Sequence, residues 1–450
     1  KINDLNINSE VDLDSLKLKS TFKLINVFPK VKEDVVLKNH KIKIKYNKDN
    51  LSITGLGKVL LQDNPDNIEY KYLKNKNEIR YHSNLSIVKN SLNLDLLNYE
   101  KSEKTELKLS IKAIKKINKD LIFEEVSLKE KSNIIYIKDL ILSNDNKIKD
   151  VEKIKLDYID NENLKNTIQI IKKEKNYLIK GTSFNINKIV DNIFESNENK
   201  KLELFNDNIK LDFDIDKVFF DKNNIIKNLK GYLFLDDNKI SEADLISNFS
   251  NKKNIKLTIQ TNGGKKITTL FSNEAKPIVD RYKFIKGFKE GSLDFYSVKE
   301  NNITKSTLKI YDFKLNELPA LTKILTLASL QGIADLLSGE GIRFNELEMN
   351  FTNKEKLITI DEIYAIGPAI SILIDGYVEK NKLISLRGTL VPATTINKTI
   401  AAIPVIGSIL VGKKVGEGVF GVSFKIKGPP KNLVTTVNPI KTLTPRFITR

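Results

Sequence analysis

The stretch Ile209-Lys210-Leu211-Asp212-Phe213-Asp214-Ile215-Asp216 decides the fold class. Apolar and charged residues alternate strictly, which puts the apolar side chains on one face of a strand and the charges on the other. The pattern recurs along the chain. Ile42, Ile44 and Tyr46 alternate with lysines, and Leu92, Leu94 and Leu96 with Asn93 and Asp95. Leu107, Leu109 and Ile111 follow, then Ile255, Leu257 and Ile259, with Leu308 and Ile310 opening a further strand. Segments rich in Asn, Asp, Lys or Gly separate these runs, the punctuation of antiparallel hairpins. Residues 112–127 and 187–200 are less regular and read as short helices or loops. The helices a doubly wound parallel fold would need are largely missing, so the first 300 residues predict a mainly β chain of roughly 20 to 25 strands. A barrel, a sandwich or a curved trough would each cover the oily face, and pattern alone does not choose.

Length and composition narrow the function. The 450 residues suffice for two to four domains or one extended repetitive body. Cysteine is absent, so neither disulfides nor a thiolate zinc site is expected. The two histidines, His40 and His82, sit among Lys, Asn and Tyr and read as surface or strand-end residues. The chain starts at Lys1 and its one methionine is Met349, which reads as a processed chain or a piece. No apolar run reaches the length of about 18 residues that a membrane-spanning helix needs. The formal charge is +18, but only six of the 75 basic residues are Arg. A nucleic-acid reader would be expected to use Arg forks. Lysine on solvated faces is the simpler reading, so no nucleic-acid partner is expected, while an anionic membrane surface is compatible.

The motifs that could carry catalysis fail on context. Gly416, Gly418 and Gly421 spell a nucleotide fingerprint, but an alternating segment follows where a helix should open. Gly407, Gly412 and Lys413 resemble a phosphate loop, but Lys414 replaces the hydroxyl residue. Asp212, Asp214 and Asp216 share a strand face flanked by lysines, as a solvated face does. No catalytic residue, metal site or cofactor is expected, and the chain reads as a non-enzyme.

The pattern changes near Leu318. Leu318, Leu321, Ile324, Leu325, Ala328, Ile333, Leu336 and Leu337 have helical spacing, with Pro319 in the first turn and Gly339 after the last. This predicts a helix over 318–337. Strands return over 343–390. A broken apolar helix, split by Pro404 and Gly407, is expected over 396–411, then a strand over 419–426 and a basic, Pro-containing tail. The domain reading is therefore a strand-rich body, 1–317, and a distinct C-terminal region, 318–450.

That C-terminal region resembles the AsmA-like family of bacterial envelope proteins, in particular its YhdP-type branch. The phrases that carry the resemblance are LPALTKILTLASLQGIADLLSGEGIRF (318–344), IYAIGPAISILIDGYV (363–378), LRGTLVPA (386–393), IPVIGSIL (403–410), GEGVFGVSFKIKGP (416–429) and VNPI (437–440). The tail departs from the usual pattern at Thr444-Pro445-Arg446-Phe447 and at Pro429-Pro430-Lys431-Asn432. The resemblance implies bridge-like phospholipid transport in the periplasm of a Gram-negative bacterium. The carrier would be anchored in the inner membrane by an N-terminal segment outside this chain and would reach the outer membrane. It implies a membrane protein built as a long curled antiparallel sheet forming an extended apolar groove, with short helices near the C-terminus. The inward strand residues expected to line it are Leu211, Phe213, Ile215, Leu257, Ile259, Leu293, Phe295, Leu308 and Ile310; otherwise they fill a closed β core. Leu325, Leu336, Ile403, Ile406, Ile409 and Leu410 are expected at a membrane-proximal end. The expected partners are phospholipids, both membrane surfaces and envelope proteins. The competing readings are an envelope scaffold or outer-membrane assembly factor, a repetitive surface adhesin, and a lysine-rich nucleic-acid binder.

Overall fold

The computed structural model describes residues 5–19; 27–189 save 104, 117–118 and 144–146; 208–282 save 221–222, 238 and 250–251; 287–316; 341–392; and 422–438 save 431. The chain divides into two compact units, Lys1–Ile240 and Ser241–Arg450. This break is one of packing, whereas the sequence division at 317/318 is one of residue pattern.

Unit 1 carries β1 (Asn6–Lys19), β2 (Asp34–Asn47), β3 (Asn50–Leu60), β4 (Asp66–Lys74), β5 (Glu78–Ile87), the two-residue β6 (Asn93–Leu94) and β7 (Tyr99–Glu100), and β8 (Leu107–Lys116). It continues with β9 (Leu121–Glu130), β10 (Asn133–Leu142), β11 (Ile148–Ile159), β12 (Lys165–Lys173), β13 (Asn176–Asn185), β14 (Ile209–Phe219) and β15 (Ile225–Asp236). Each long strand up to β13 pairs antiparallel with its neighbour, β5 joining β8 past the short β6–β7 ribbon. β13 and β14 pair in parallel. A parallel pair needs a crossover of a dozen or more residues, and the 186–208 connection supplies one. The irregularity over 187–200 thus falls in the one connection of unit 1, among the described strands, that keeps the strand direction instead of reversing it, and helix begins at 187–189.

Unit 2 is an antiparallel meander throughout. It runs from β16 (Lys239–Asn248) through β17 (Asn254–Asn262), β18 (Lys265–Ser272), helix α1 (Lys276–Tyr282), β19 (Phe288–Glu300) and β20 (Ile303–Leu315). β21 (Ile342–Lys354), β22 (Leu357–Ile366), β23 (Ile370–Glu379), β24 (Leu383–Pro392), β25 (Val422–Gly428) and β26 (Val434–Asn438) complete it. Hairpin turns set the register. Gly263 and Gly264 join β17 to β18 with φ of +57° and +80°, the left-handed pair a two-residue hairpin loop demands.

The structure corrects the expected fold. Among the described residues twenty-four strands form one large sheet, mixed in direction, that is neither curled round nor closed into a barrel. Among the described residues β1 pairs only with β2 and β26 only with β25. Alternation fixes which face is apolar; curvature depends on bulges, twist and closing pairs, which a period of two does not encode. The described helical segments are a 3-10 turn at Asp95–Leu97, the start at 187–189 and α1, none of them near the C-terminus. The expected helices over 318–337 and 396–411 lie outside the described residues, as do the glycine motifs at 407–421. The membrane-protein reading is corrected too: among the described residues no helix is long and apolar enough to cross a membrane, and the sheet is not closed into a barrel. Apolar residues that alternate with charges never accumulate into a spanning run.

Two local readings also change. Residues 112–116 belong to β8 and 121–127 to β9, not to loops. The Leu92–Leu96 alternation is no strand of the main sheet, because the chain turns at Asp95–Leu97 into a left-handed Asn98 (φ 49°).

Candidate apolar binding face

In unit 2, register lines apolar side chains up in rows across the strands. One row holds Leu293, Ile310, Leu347, Ala365, Ile372, Leu390 and Val422, each opposite the next from β19 to β25. This row is the core. Leu293, Ile310, Ala365, Leu390 and Val422 are buried, and Leu347 and Ile372 pack against them. Ala275 at the start of α1 and Val279 within it are buried in the same cluster, and the Ala275 amide donates to the Gly291 carbonyl at 2.9 Å. Phe288, Phe313 and Phe344 stack beside the row, with ring centroids 5.3 and 5.2 Å apart. Each such buried side chain contributes about 1.5–3 kcal/mol.

The next row, two residues along each strand, has no fully buried member, although Leu270, Phe295, Leu308 and Ile374 pack against the same core on their inner sides. Leu245, Leu257, Leu270, Phe295, Leu308, Met349, Ile363 and Ile374 follow one another across β16 to β23. Every one is only half-buried. All described strands except β6 and β7 belong to the one sheet, so no second large sheet exists among the described residues to cover this row. A continuous stripe of half-buried apolar side chains is a candidate binding face. The reverse face of the same strands mixes exposed apolar side chains, Ile246, Phe271 and Tyr296 among them, with ion pairs. Lys309 pairs with Glu348 at 3.1 Å, and Arg387 with Asp375 at 2.6 Å.

Unit 1 repeats the design. Leu85, Leu109, Leu128, Ile135, Leu156 and Ile168 form a row across β5, β8, β9, β10, β11 and β12, all buried but Leu109. Beside it run Ile111, Val126, Ile137, Ile154 and Ile170, all half-buried. Here a connection, not a helix, seals one end. Segment 88–106 folds Leu92 and Tyr99 inward, and Tyr99 meets Tyr158 edge-on at 5.8 Å. Its polar atoms are tied down. The Tyr99 hydroxyl donates to Glu130 Oε2 at 2.6 Å, the Ser102 amide to Oε1 at 3.0 Å, and the Thr105 hydroxyl also to Oε1. Lys101 Nζ donates to the carbonyls of Val88 (2.7 Å) and Ser102 (2.8 Å). Burial pushes the Glu130 carboxyl up, but the hydrogen bonds from Thr105, Tyr99 and Ser102 outweigh it and hold it below the usual range. Burial holds the Lys101 ammonium low. It raises the neighbouring Asp66 carboxyl, which keeps Oδ2 bonded to Asn90 at 2.7 Å while Oδ1 has no partner among the described residues.

The structure gathers six of the nine expected lining residues on one face of unit 2. Leu257, Phe295 and Leu308 stand in the half-buried row, Leu293 and Ile310 in the core row, and Ile259 is buried one row beyond, opposite Thr268. The other three are on β14 in unit 1, where Ile215 is buried and Leu211 and Phe213 are half-buried. Leu325, Leu336, Ile403, Ile406, Ile409 and Leu410 lie outside the described residues. Sequence reasoning does not single out Leu245, Leu270, Met349, Ile363 and Ile374. Met349 stands between Glu348 and Asn350, so its signal is present, whereas each of the other four has an apolar or aromatic neighbour in the chain that blurs the alternation.

No group of three metal-ligating side chains occurs among the described residues. His40 is not a surface histidine. It is buried, Nε2 lies 2.9 Å from the Lys58 carbonyl and Nδ1 3.3 Å from the Tyr70 hydroxyl. A Cβ at Gly57 would fall 2.3 Å from its ring, so glycine makes the room. Asp212 and Asp214 face lysines, Lys210 at 3.4 Å and Lys230 at 4.0 Å. A cleft of about 600 Å³ near the turns of β1 to β5 is lined mainly by polar residues such as Asn8, Lys45, Asn50, Lys74 and Arg80.

No protein-family model, curated protein or solved structure matches the chain.

Proposed function

We propose that the chain is a non-enzymatic phospholipid carrier that holds acyl chains against its half-buried apolar rows. One observation carries the reading: eight large apolar side chains, from Leu245 to Ile374, stand side by side across eight strands and none of them is fully buried. An acyl chain laid on such a stripe leaves water at about 0.8 kcal/mol per methylene. Branched and aromatic side chains form a wall without polar hooks, so a tail can shift from strand to strand without breaking hydrogen bonds. Such a surface has no preferred direction, and net flow must come from membranes or partners at its ends. The likeness of 318–450 to AsmA-like proteins supports a place in the Gram-negative periplasm, with transfer between inner and outer membranes. The test is native mass spectrometry of the purified chain. Phospholipid that co-purifies and is lost when Phe295 and Leu308 are changed to Asp supports the reading; a lipid-free chain after exposure to vesicles ends it.

A second reading, an envelope scaffold, draws on one feature. Edge strand β1 is 14 residues long, and Leu16 and Leu18 on it are exposed. An exposed edge of that length can add a client strand.

A further inference from the structure

Resting on the lipid-carrier reading, we propose that Lys266 and Lys299 form a seat for the phosphate of an anionic lipid headgroup, at the polar rim of the apolar face of unit 2.

The argument is a gradient along three strands. On β18, β19 and β20 the half-buried row consists of Leu270, Phe295 and Leu308. Two residues further along, on the same face, stand Thr268, Ser297 and Ser306, directly opposite one another in turn. Two residues beyond these stand Lys266, Lys299 and Thr304, again in register. Hydrocarbon, hydroxyl and cation therefore succeed each other over four residues, about 13 Å along the strand. A glycerophospholipid laid along the strands has the same order: methylenes, ester groups, phosphate. The hydroxyl row suits the esters, which accept hydrogen bonds and carry no charge.

Lys266 faces Lys299 with no acid between them. Directly opposite side chains on antiparallel strands sit about 5 Å apart at Cβ, and like charges there repel. Nearby lysines have been given partners: Lys265 reaches Glu300 at 3.5 Å, and Lys256 reaches Asp244 at 3.5 Å. Among the described residues, Lys266 and Lys299 make no ion pair. Lys266 is moreover half-buried, where an unpaired ammonium is costly. Two adjacent cations on the side of a sheet that is otherwise apolar or hydroxyl-bearing are what a bound phosphate would neutralise. A second observation points to the same place. Asn353 lies opposite Thr304, and its buried Oδ1 has no hydrogen-bond partner among the described residues. It is an acceptor suited to a headgroup hydroxyl such as those of phosphatidylglycerol.

The experiment uses the full chain, incubated with vesicles of phosphatidylcholine alone or doped with phosphatidylglycerol, then re-isolated for lipid analysis by mass spectrometry. The expected result is enrichment of phosphatidylglycerol over its share in the vesicle. That enrichment should fall about tenfold in Lys266→Gln/Lys299→Gln, with total lipid uptake retained, and should persist in Lys266→Arg/Lys299→Arg. Circular dichroism confirms that each variant folds. Uptake without headgroup preference, or a preference unchanged in the Gln variant, overturns the seat and leaves the carrier reading standing. A chain that takes up no lipid overturns the carrier reading itself. Titration with inorganic phosphate separates the sources: lysine-dependent phosphate binding without lipid uptake makes this a free-anion site and overturns the headgroup assignment.

Discussion

The Tyr99 hydroxyl donates to the Glu130 carboxylate across a contact of 2.6 Å, joining the segment that seals unit 1 to the end of β9. Both residues are buried. A hydrogen bond to a buried charge is worth about 1.5–3 kcal/mol, because the partner left behind has no water to turn to. Tyr99→Phe should therefore loosen segment 88–106 by that amount. Hydrogen exchange of its amides is the readout, and unchanged protection would show that Ser102 and Thr105 hold the carboxylate alone.

The same carboxylate predicts a pH response. The folded state holds the Glu130 carboxyl below its ordinary value. Its stabilisation is then complete above the ordinary carboxylate range and is lost as pH falls through the lowered folded value. Asp66 acts in the opposite sense: burial raises its carboxyl, so its ionisation penalty is relieved as pH falls. Segment 88–106 should loosen on acidification in the wild type and lose much of that dependence in Glu130→Gln. If Asp66 dominated, acid would tighten the segment, and Asp66→Asn would remove the effect.

Phe295 and Leu293 lie two residues apart on β19 and share a face, yet they should respond oppositely to a charge. Leu293 is 1% exposed, and an aspartate there would be buried without a partner. Leu293→Asp should cost at least about 3 kcal/mol and unfold unit 2. Phe295 is half-buried, so Phe295→Asp should leave the far-ultraviolet spectrum and unfolding midpoint close to wild type while abolishing lipid retention. Equal unfolding by both would mean that the Phe295 row is core rather than binding surface.

The pair also shows what the sequence makes legible. Leu293, Phe295, Leu308 and Ile310 read as inward residues because alternation decides sidedness, and their register matches that reading. Alternation could not tell Leu293 from Phe295. Their difference comes from α1 and the phenylalanine stack, which close one end of the face through contacts remote in sequence. Nor could it foresee that β13 and β14 run parallel, since strand direction depends on the connection and not on the strand. His40 was misread for a related reason: its polar neighbours in sequence are on the solvated face, while a left-handed Asn39 (φ 51°) breaks the alternation and places the ring against Gly57.

Lys266 and Lys299 give the last prediction, and it concerns the chain without lipid. Burial depresses the Lys266 ammonium, and the Lys299 charge opposite depresses it further. A lysine whose folded pKa is lowered carries a penalty below that value, relieved as pH rises through it. At neutral pH the penalty is present, so Lys266→Gln should stabilise lipid-free unit 2, by about 0.2–1 kcal/mol for removal of a like-charge cross-strand pair. The gain should shrink at alkaline pH, as the wild-type lysine loses its proton, and should be smaller when Lys299 is already Gln, because only the burial penalty then remains. Thermal unfolding of the delipidated single and double variants at two pH values measures each part. A substitution that destabilises the lipid-free chain at neutral pH would mean that the Lys266 stem, by packing on the sheet, matters more to the fold than its charge.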